Sequence, residues 1–189
     1  MTNIRLALAQ INPTVGDLSG NLEKIMSFVS IAKRSEADVV AFPELSVTGY
    51  PPEDLLLKPQ FVKENIEATA EIAEKSGNIA TVFGFVDFHG ERFNSAAVAY
   101  QGKIVGTHRK IFLPNYGVFD EARYFKAGQT CPVFTIAGVS IGLNICEDIW
   151  YDLGPTGVQR AAGAEIIINI NGSPFHAGKR DERENMLRA

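Results

Sequence analysis

Cys146 stands at the end of an apolar run, Ser140 to Ile145, in "SIGLNICEDIW", and two acids, Glu147 and Asp148, follow it at once. A cysteine attacks as the thiolate, and nearby negative charge opposes its ionisation. Cys146 is therefore inert filler, or a positive charge reaches it from elsewhere in the chain. Two other reactive side chains stand in similar places. Glu44 follows the short apolar segment Val39–Phe42, and Lys110 follows the segment Lys103–His108. Ser173 comes shortly after a fourth such segment, Glu165–Ile170. A carboxylate, an amine and a thiol gathered at one sheet edge would make a set for nucleophilic chemistry. Each also has a plainer reading: Cys146 as a small buried apolar residue, Glu44 as a loop acid or helix cap, Lys110 as a surface lysine. Cys131, just before Pro132, carries only the plain reading.

The elements that must position these residues follow from periodicity. Ile4–Ile11, Val39–Phe42, Ile79–Phe85, Phe93–Tyr100, Lys103–His108, Val133–Ile136, Val139–Ile145 and Glu165–Ile170 read as strands. Residues 21–35 and 59–76 carry apolar side chains at three-to-four spacing and read as amphipathic helices, the second stopped by Gly77. Shorter helices are expected around Asp54–Leu57, over Pro155–Ala162 and over Lys179–Arg188. A hairpin loop is expected at Asp87–Gly90, and a long, ordered, aromatic-rich loop over Arg109–Pro132. Helix crossovers make the strands ending at Phe42 and Phe85 parallel, and likewise those ending at Ile145 and Ile170. The meander from Ile79 to His108 turns the third strand the same way as the first. Glu44, Lys110, Cys146 and Ser173 then fall at strand carboxyl ends, where open α/β sheets gather their ligands.

Composition narrows the function classes. Of 189 residues, 46% are hydrophobic and 21% charged, the balance of a globular α/β protein. A net charge of −4 with scattered basic residues offers no surface for nucleic acid or anionic lipid. No run reaches the roughly 18 apolar residues of a membrane span, and no signal peptide is visible; a cytoplasmic location is expected. Two cysteines make no disulfide framework. His89, His108 and His176 lack metal-ligand spacing, so no metal site is expected. No glycine-rich phosphate loop is present, so direct binding of ATP or NAD is not expected.

Four blocks in order, "FPELSVTGYPPEDLL", "HRKIFLPNYGVFDEARYF", "NICEDIW" and "NINGSPFHAGKRDERENML", closely resemble the carbon–nitrogen hydrolase (nitrilase) superfamily. "YPPEDLL", "LPNYGVFDEARYF" and "SPFHAGKR" narrow the resemblance to the N-terminal glutaminase domain of glutamine-dependent NAD synthetases. The resemblance spans residues 1–189 as one hydrolase domain. It implies a four-layer αββα sandwich with mixed sheets and a Glu–Lys–Cys triad of Glu44, Lys110 and Cys146. Lys110 would then supply the missing positive charge and favour the thiolate, with Glu44 taking the thiol proton. Tyr50, Tyr116, Phe119, Glu121, Glu147, Ser173 and Lys179 are implied to contact a glutamine substrate. Glu121 suits its α-amino group, and Lys179 falls where a basic residue would meet its α-carboxylate. The Glu147 side chain is expected to point away from the sulfur, tied down by hydrogen bonds or a charge partner.

The hydrolase half-reaction implied by the resemblance needs no cofactor. ATP and Mg²⁺ belong to a separate synthetase domain, absent from this chain, that amidates nicotinic acid adenine dinucleotide to NAD. Strands expected after Arg188 are missing, which would expose sheet edges and apolar surface. The resemblance also implies a homo-oligomer. Two other readings stay open: a free-standing hydrolase of another amide or nitrile, and a binding module that keeps the fold without the chemistry.

Overall fold

The computed structural model describes residues 3–151 and 153–188. Among them the strands form two sheets. In the first, β1 (Leu6–Leu8), β2 (Val39–Ala41), β3 (Ala80–His89), β4 (Glu91–Tyr100) and β5 (Lys103–Arg109) lie side by side in chain order. β1, β2 and β3 are parallel, while β4 and β5 are each antiparallel to the strand before. β5 therefore runs with β2, as the meander argument requires.

Two helices cover the outer face of this sheet. α1 (Leu18–Arg34) begins three residues before the apolar periodicity, because the Asp17 carboxylate accepts from the Gly20 amide at 2.9 Å and caps the first turn. α2 (Pro59–Ser76) opens on proline and closes at Gly77, whose φ of +64° suits glycine. Ile25, Val29 and Ala32 of α1, with Ala68, Ile72 and Ala73 of α2, pack on Val40, Phe42, Phe83, Phe85 and Ala97 of the sheet.

A four-residue helix, α3 (Glu121–Tyr124), lies within the long aromatic loop. The second sheet follows, with β6 (Val133–Ile136) antiparallel to β7 (Val139–Ile145). β7 is parallel to β8 (Ile166–Ile170), which it reaches through α4 (Pro155–Ala161). Val139, Ile141, Leu143, Ile145, Ile168 and Ile170 pack on Val39, Ala41, Ala80, Val82, Ala96 and Val98 of the first sheet. Both faces of β2 are covered, so its three residues are apolar without alternation. α4 packs outside the second sheet, with Gln159 donating to the Leu143 carbonyl at 2.7 Å. The layers are helix, sheet, sheet, helix.

One boundary differs from the sequence expectation. Asp87–Gly90 is not a four-residue loop: β3 and β4 stay paired to His89 and Glu91, leaving Gly90 alone at the turn with φ +74°. Asp87 looks like a loop residue in isolation. In the sheet, Arg109 of β5 lies 2.6 Å from its carboxylate, so the charge is satisfied without leaving the strand. The final element, α5 (Lys179–Arg188), has the expected bounds. β1, β8 and α5 border an open groove of ≈ 1040 Å³ that includes Leu6, Leu8, Ile167, Met186 and Leu187.

Candidate active site

Three strand ends meet beneath the long loop. β2 delivers Glu44, β5 delivers Lys110, and β7, from the other sheet, delivers Cys146. All three are buried, at 1%, 0% and 2% exposure. The Lys110 ammonium donates to Glu44 Oε1 at 2.7 Å and to Glu121 Oε1, at the head of α3, also at 2.7 Å. Asn94, in the middle of β4, donates its side-chain amide to Glu44 Oε1 at 2.8 Å and to Glu121 Oε2 at 3.3 Å. The remaining oxygen of Glu44 accepts the Gly172 backbone N–H at 2.8 Å, and Tyr50 O–H donates to Glu121 Oε1 at 2.8 Å.

Local backbone makes this approach possible. Cys146 has φ +45° and begins a single 3₁₀ turn over Cys146–Ile149, so the chain turns sharply as β7 ends. Leu45, directly after Glu44, has φ +47°. Left-handed backbone costs a non-glycine residue on the order of 1–3 kcal/mol and persists only where its surroundings enforce it. Beside Leu45 the sheet must come very close: a Cβ added to Gly84 would lie 2.1 Å from the Leu45 nitrogen and 2.7 Å from the Glu44 carbonyl carbon. Gly84 is thus the only residue type that fits, and it sets where Glu44 stands.

The electrostatics set the expected influence of Lys110 against that of its surroundings. Lys110 does favour the Cys146 thiolate, but burial and the Glu44 charge outweigh it, with Glu121 and Glu147 adding to them; the thiol is pushed up to about 12. Two carboxylates face one ammonium, and a thiolate would add a further negative charge. Burial and these charges together favour the protonated sulfur at rest. Lys110 itself is held as ammonium: burial works against its charge, but Glu44 and then Glu121 prevail and raise its pKa. Glu121 is raised by burial and by Glu44, against the pull of Lys110.

The residues expected around a substrate are placed as follows. Tyr50, Phe119 and Tyr116 form a chain of edge-on rings, with centroids 6.3 Å and 5.8 Å apart. The Glu147 side chain is held by hydrogen bonds, as expected: Tyr116 O–H reaches both its oxygens at 2.9–3.0 Å and Tyr151 O–H one of them at 3.2 Å. Glu121 is 4% exposed, and its oxygens accept from Lys110, Tyr50 and Asn94. Ser173 Oγ accepts from Arg183 at 2.7 Å, beside the Gly172 amide that holds Glu44. The Lys179 ammonium lies 4.6 Å over the Trp150 ring and 2.8 Å from Glu182.

Asn94 and Gly172 were not found from the sequence. An asparagine within the buried stretch "FNSAAVAY" was the available signal for the first, since a buried polar side chain needs a partner. Nothing local marks Gly172, whose contribution is a backbone amide. Among the described residues there is no group of three or more His, Cys, Asp or Glu that could hold a metal ion, and no helix long and apolar enough to cross a membrane.

Comparison with known proteins agrees with this architecture. Residues 5–189 match the family model described as Carbon-nitrogen hydrolase. A glutamine-dependent NAD(+) synthetase from Thermotoga maritima is 42% identical over 190 residues, covering 99% of this chain and 33% of that protein. The solved glutamine-dependent NAD+ synthetase from Acinetobacter baumannii superposes with a TM-score of 0.93 at 41% identity, over 97% of this chain and 35% of that one. An amidase of the nitrilase superfamily from Nesterenkonia shares the fold at 22% identity, with a TM-score of 0.85 over 98% of this chain and 71% of its own. The chain thus spans about a third of the length of the synthetases it matches. Its sandwich is the nitrilase-type αββα fold, and the chain belongs to the carbon–nitrogen hydrolase family.

Proposed function

We propose that this chain hydrolyses the side-chain amide of glutamine through a thioester on Cys146 and supplies the ammonia to an ATP-dependent synthetase that makes NAD from nicotinic acid adenine dinucleotide. The observation that carries the chemistry is the junction of Glu44 and Lys110 at 2.7 Å, beside a cysteine turned sharply out of the end of β7. The identity of the amide rests on the glutamine-dependent synthetases that match the whole chain.

Because the resting sulfur is a thiol, it must lose its proton as it attacks. Glu44 is the base. As the C–S bond forms, the proton passes to the Glu44 carboxylate, and the carbonyl electrons move onto oxygen. Lys110 and the backbone N–H of Glu147 stabilise that oxyanion. Glu44 then returns the proton to the leaving nitrogen, and ammonia departs from a glutamyl thioester. Water, deprotonated by Glu44, attacks the thioester and releases glutamate and the thiol. Glu121 keeps Lys110 charged and in place, while Asn94 and Gly172 fix both oxygens of Glu44. Only side chains, one backbone amide and water take part. ATP and Mg²⁺ belong to the synthetase reaction.

The test is ammonia release by the intact protein from glutamine, set against a panel of other amides and nitriles. Glutamine is expected to lead by at least tenfold in kcat/KM. Preference for another amide or a nitrile would overturn the substrate, and no turnover of any would overturn the hydrolase reading.

Two variants probe the parts of this mechanism. Glu44→Gln removes the base and should reduce glutamine hydrolysis by about 10²–10⁴-fold. It also removes the largest charge opposing the Cys146 thiolate, so alkylation of Cys146 by iodoacetamide at pH 8 should become faster. Slower alkylation would show that Glu44 does not oppose ionisation. Gly84→Ala should destabilise the fold by about 1–3 kcal/mol through the forced contact with Leu45. By displacing Glu44 it should also lower turnover per folded molecule by about 10²-fold; thermal unfolding and ammonia release read the two effects.

A further inference from the structure

Asp148, two residues after Cys146, takes no part in the steps above, yet it is fully buried. Its Oδ1 accepts the backbone N–H groups of Ile111 and Phe112, both at 3.0 Å. Its Oδ2 accepts the backbone N–H of Ile145 at 3.1 Å and lies 2.8 Å from His108 Nε2. The donors come from both sides of the site. Ile145 precedes Cys146 on β7; His108 ends its burial in β5, and Ile111 and Phe112 directly follow Lys110. A carboxylate only accepts, so the proton between Asp148 and the ring lies on His108 Nε2. His108 and Asp148 both have side-chain exposure of 0%, and the other ring nitrogen has no partner among the described residues. Such a contact is directed entirely at Asp148.

We infer that Asp148, oriented by His108, is a positioning residue that fixes the Cys146 turn against the Lys110 segment across the seam between the two sheets. Cys146 and Lys110 arrive on different sheets, and packing between sheets alone leaves the sulfur free to shift by sliding. Four convergent donors on one carboxylate remove that freedom and hold the left-handed backbone of Cys146 in place. Asn169 supports the turn from the opposite side, its side-chain amide 3.3 Å from the Cys146 carbonyl. Misplacement of a reacting group by about 1 Å is enough to cost about 10²-fold in rate. The inference rests on the glutaminase reading for its kinetic consequence, but not for its geometric one.

The experiment compares Asp148→Asn, His108→Leu and His108→Gln in the intact protein. Asparagine offers one acceptor oxygen where four donors converge, so two of them lose their partner. Glutamine can place an N–H where His108 Nε2 stands, whereas leucine cannot. For Asp148→Asn and His108→Leu, kcat per folded molecule should fall at least tenfold with KM within about twofold, and His108→Gln should recover most of the loss in His108→Leu. Iodoacetamide supplies a readout independent of glutamine. A sulfur released from the turn leaves the burial and the carboxylates that together oppose its ionisation, so Cys146 alkylation per folded molecule at pH 8 should rise at least fivefold in Asp148→Asn and His108→Leu and return towards the parent rate in His108→Gln. A merely structural role lowers Tm and leaves kcat and the alkylation rate per folded molecule at their parent values. Unchanged kcat or unchanged alkylation per folded molecule, with a lowered Tm, would overturn the assignment. Should the parent protein not cleave glutamine, the proposed function fails, and the alkylation comparison alone decides the positioning role.

Discussion

Replacing Cys146 with alanine should reduce ammonia release from glutamine to background while leaving the fold intact. The residue is 2% exposed at the end of β7, and its sulfur is the nucleophile of the proposed reaction. No neighbouring group can substitute for it: the nearby side chains are carboxylates, an ammonium, amides and phenols. Loss of the nucleophile from a site whose groups act as a unit costs about 10⁶-fold in kcat. The structural cost should be small. One sulfur atom leaves a cavity costing on the order of 1 kcal/mol, and alanine tolerates the left-handed backbone no worse than cysteine. The variant also lacks the thiol whose ionisation Glu44 opposes, so no charge is added to the pocket. Ammonia assays and thermal unfolding on the same preparation separate these consequences. Retained turnover in a folded Cys146→Ala protein would remove the thioester mechanism altogether.

Replacing Lys110 with methionine should be more damaging to the fold than replacing Cys146, and less damaging to turnover. The ammonium is completely buried and donates to both Glu44 and Glu121 at 2.7 Å. Methionine keeps most of the volume but leaves two buried carboxylates facing one another. Removing one partner from a buried ion pair costs about 3–5 kcal/mol, because an uncompensated charge stays behind. Loss of an oxyanion donor adds about 2.7–4 kcal/mol to the barrier, or about 10²–10³-fold in kcat.

A pH signature separates this electrostatic damage from poor packing. Glu121 is already raised above the usual carboxylate range by burial and by Glu44, and Lys110 is what restrains it. Without Lys110 it should rise further. A group whose folded pKa exceeds its unfolded value binds more protons when folded, so stability falls as pH rises. The Lys110→Met protein should therefore gain stability on acidification, beginning at the raised folded value and complete near the ordinary carboxylate value of about 4.3. The slope between pH 8 and pH 5 should be steeper than in the parent protein. Denaturant unfolding across that range measures it. Parallel pH profiles for parent and variant would show that Lys110 is not the cation on which these carboxylates depend.

The chemistry at Cys146 also changes how the site must work. A cysteine prepared as a thiolate would react with any small electrophile. A thiol held near 12 by burial and carboxylates is quiet until a base removes its proton during attack. In the proposed reaction the same Glu44 that opposes ionisation at rest accepts the proton, which would tie reactivity to a substrate whose carbonyl oxygen can take up the developing charge beside Lys110.

Much of this was legible locally. The periodicity of α1 and α2, the short apolar strands, the parallel crossovers and the sharp ends at Glu44, Lys110 and Cys146 are properties of neighbouring residues, and hydrophobic burial enforces them wherever the chain folds. The four blocks around those ends identified the family. The hairpin at Gly90 was misread because the charge of Asp87 is satisfied by Arg109, which lies 22 residues away. The attachment of Glu121 to Lys110, the bridge made by Asn94 and the Gly172 amide on Glu44 were likewise hidden. They join positions 11, 50 and 128 residues apart, and none leaves a periodic trace. The protonation of Cys146 depends on the sum of burial and four charges from separate elements. Residue order by itself therefore determined the elements, the crossovers and which side chains arrive at the strand ends, because these follow from short-range pattern and apolar burial, while the four layers were implied by the resemblance to the family. Which of them share protons, and which carboxylate answers to which cation, was decided only when two sheets packed face to face, since electrostatic interaction depends on distance in space rather than along the chain.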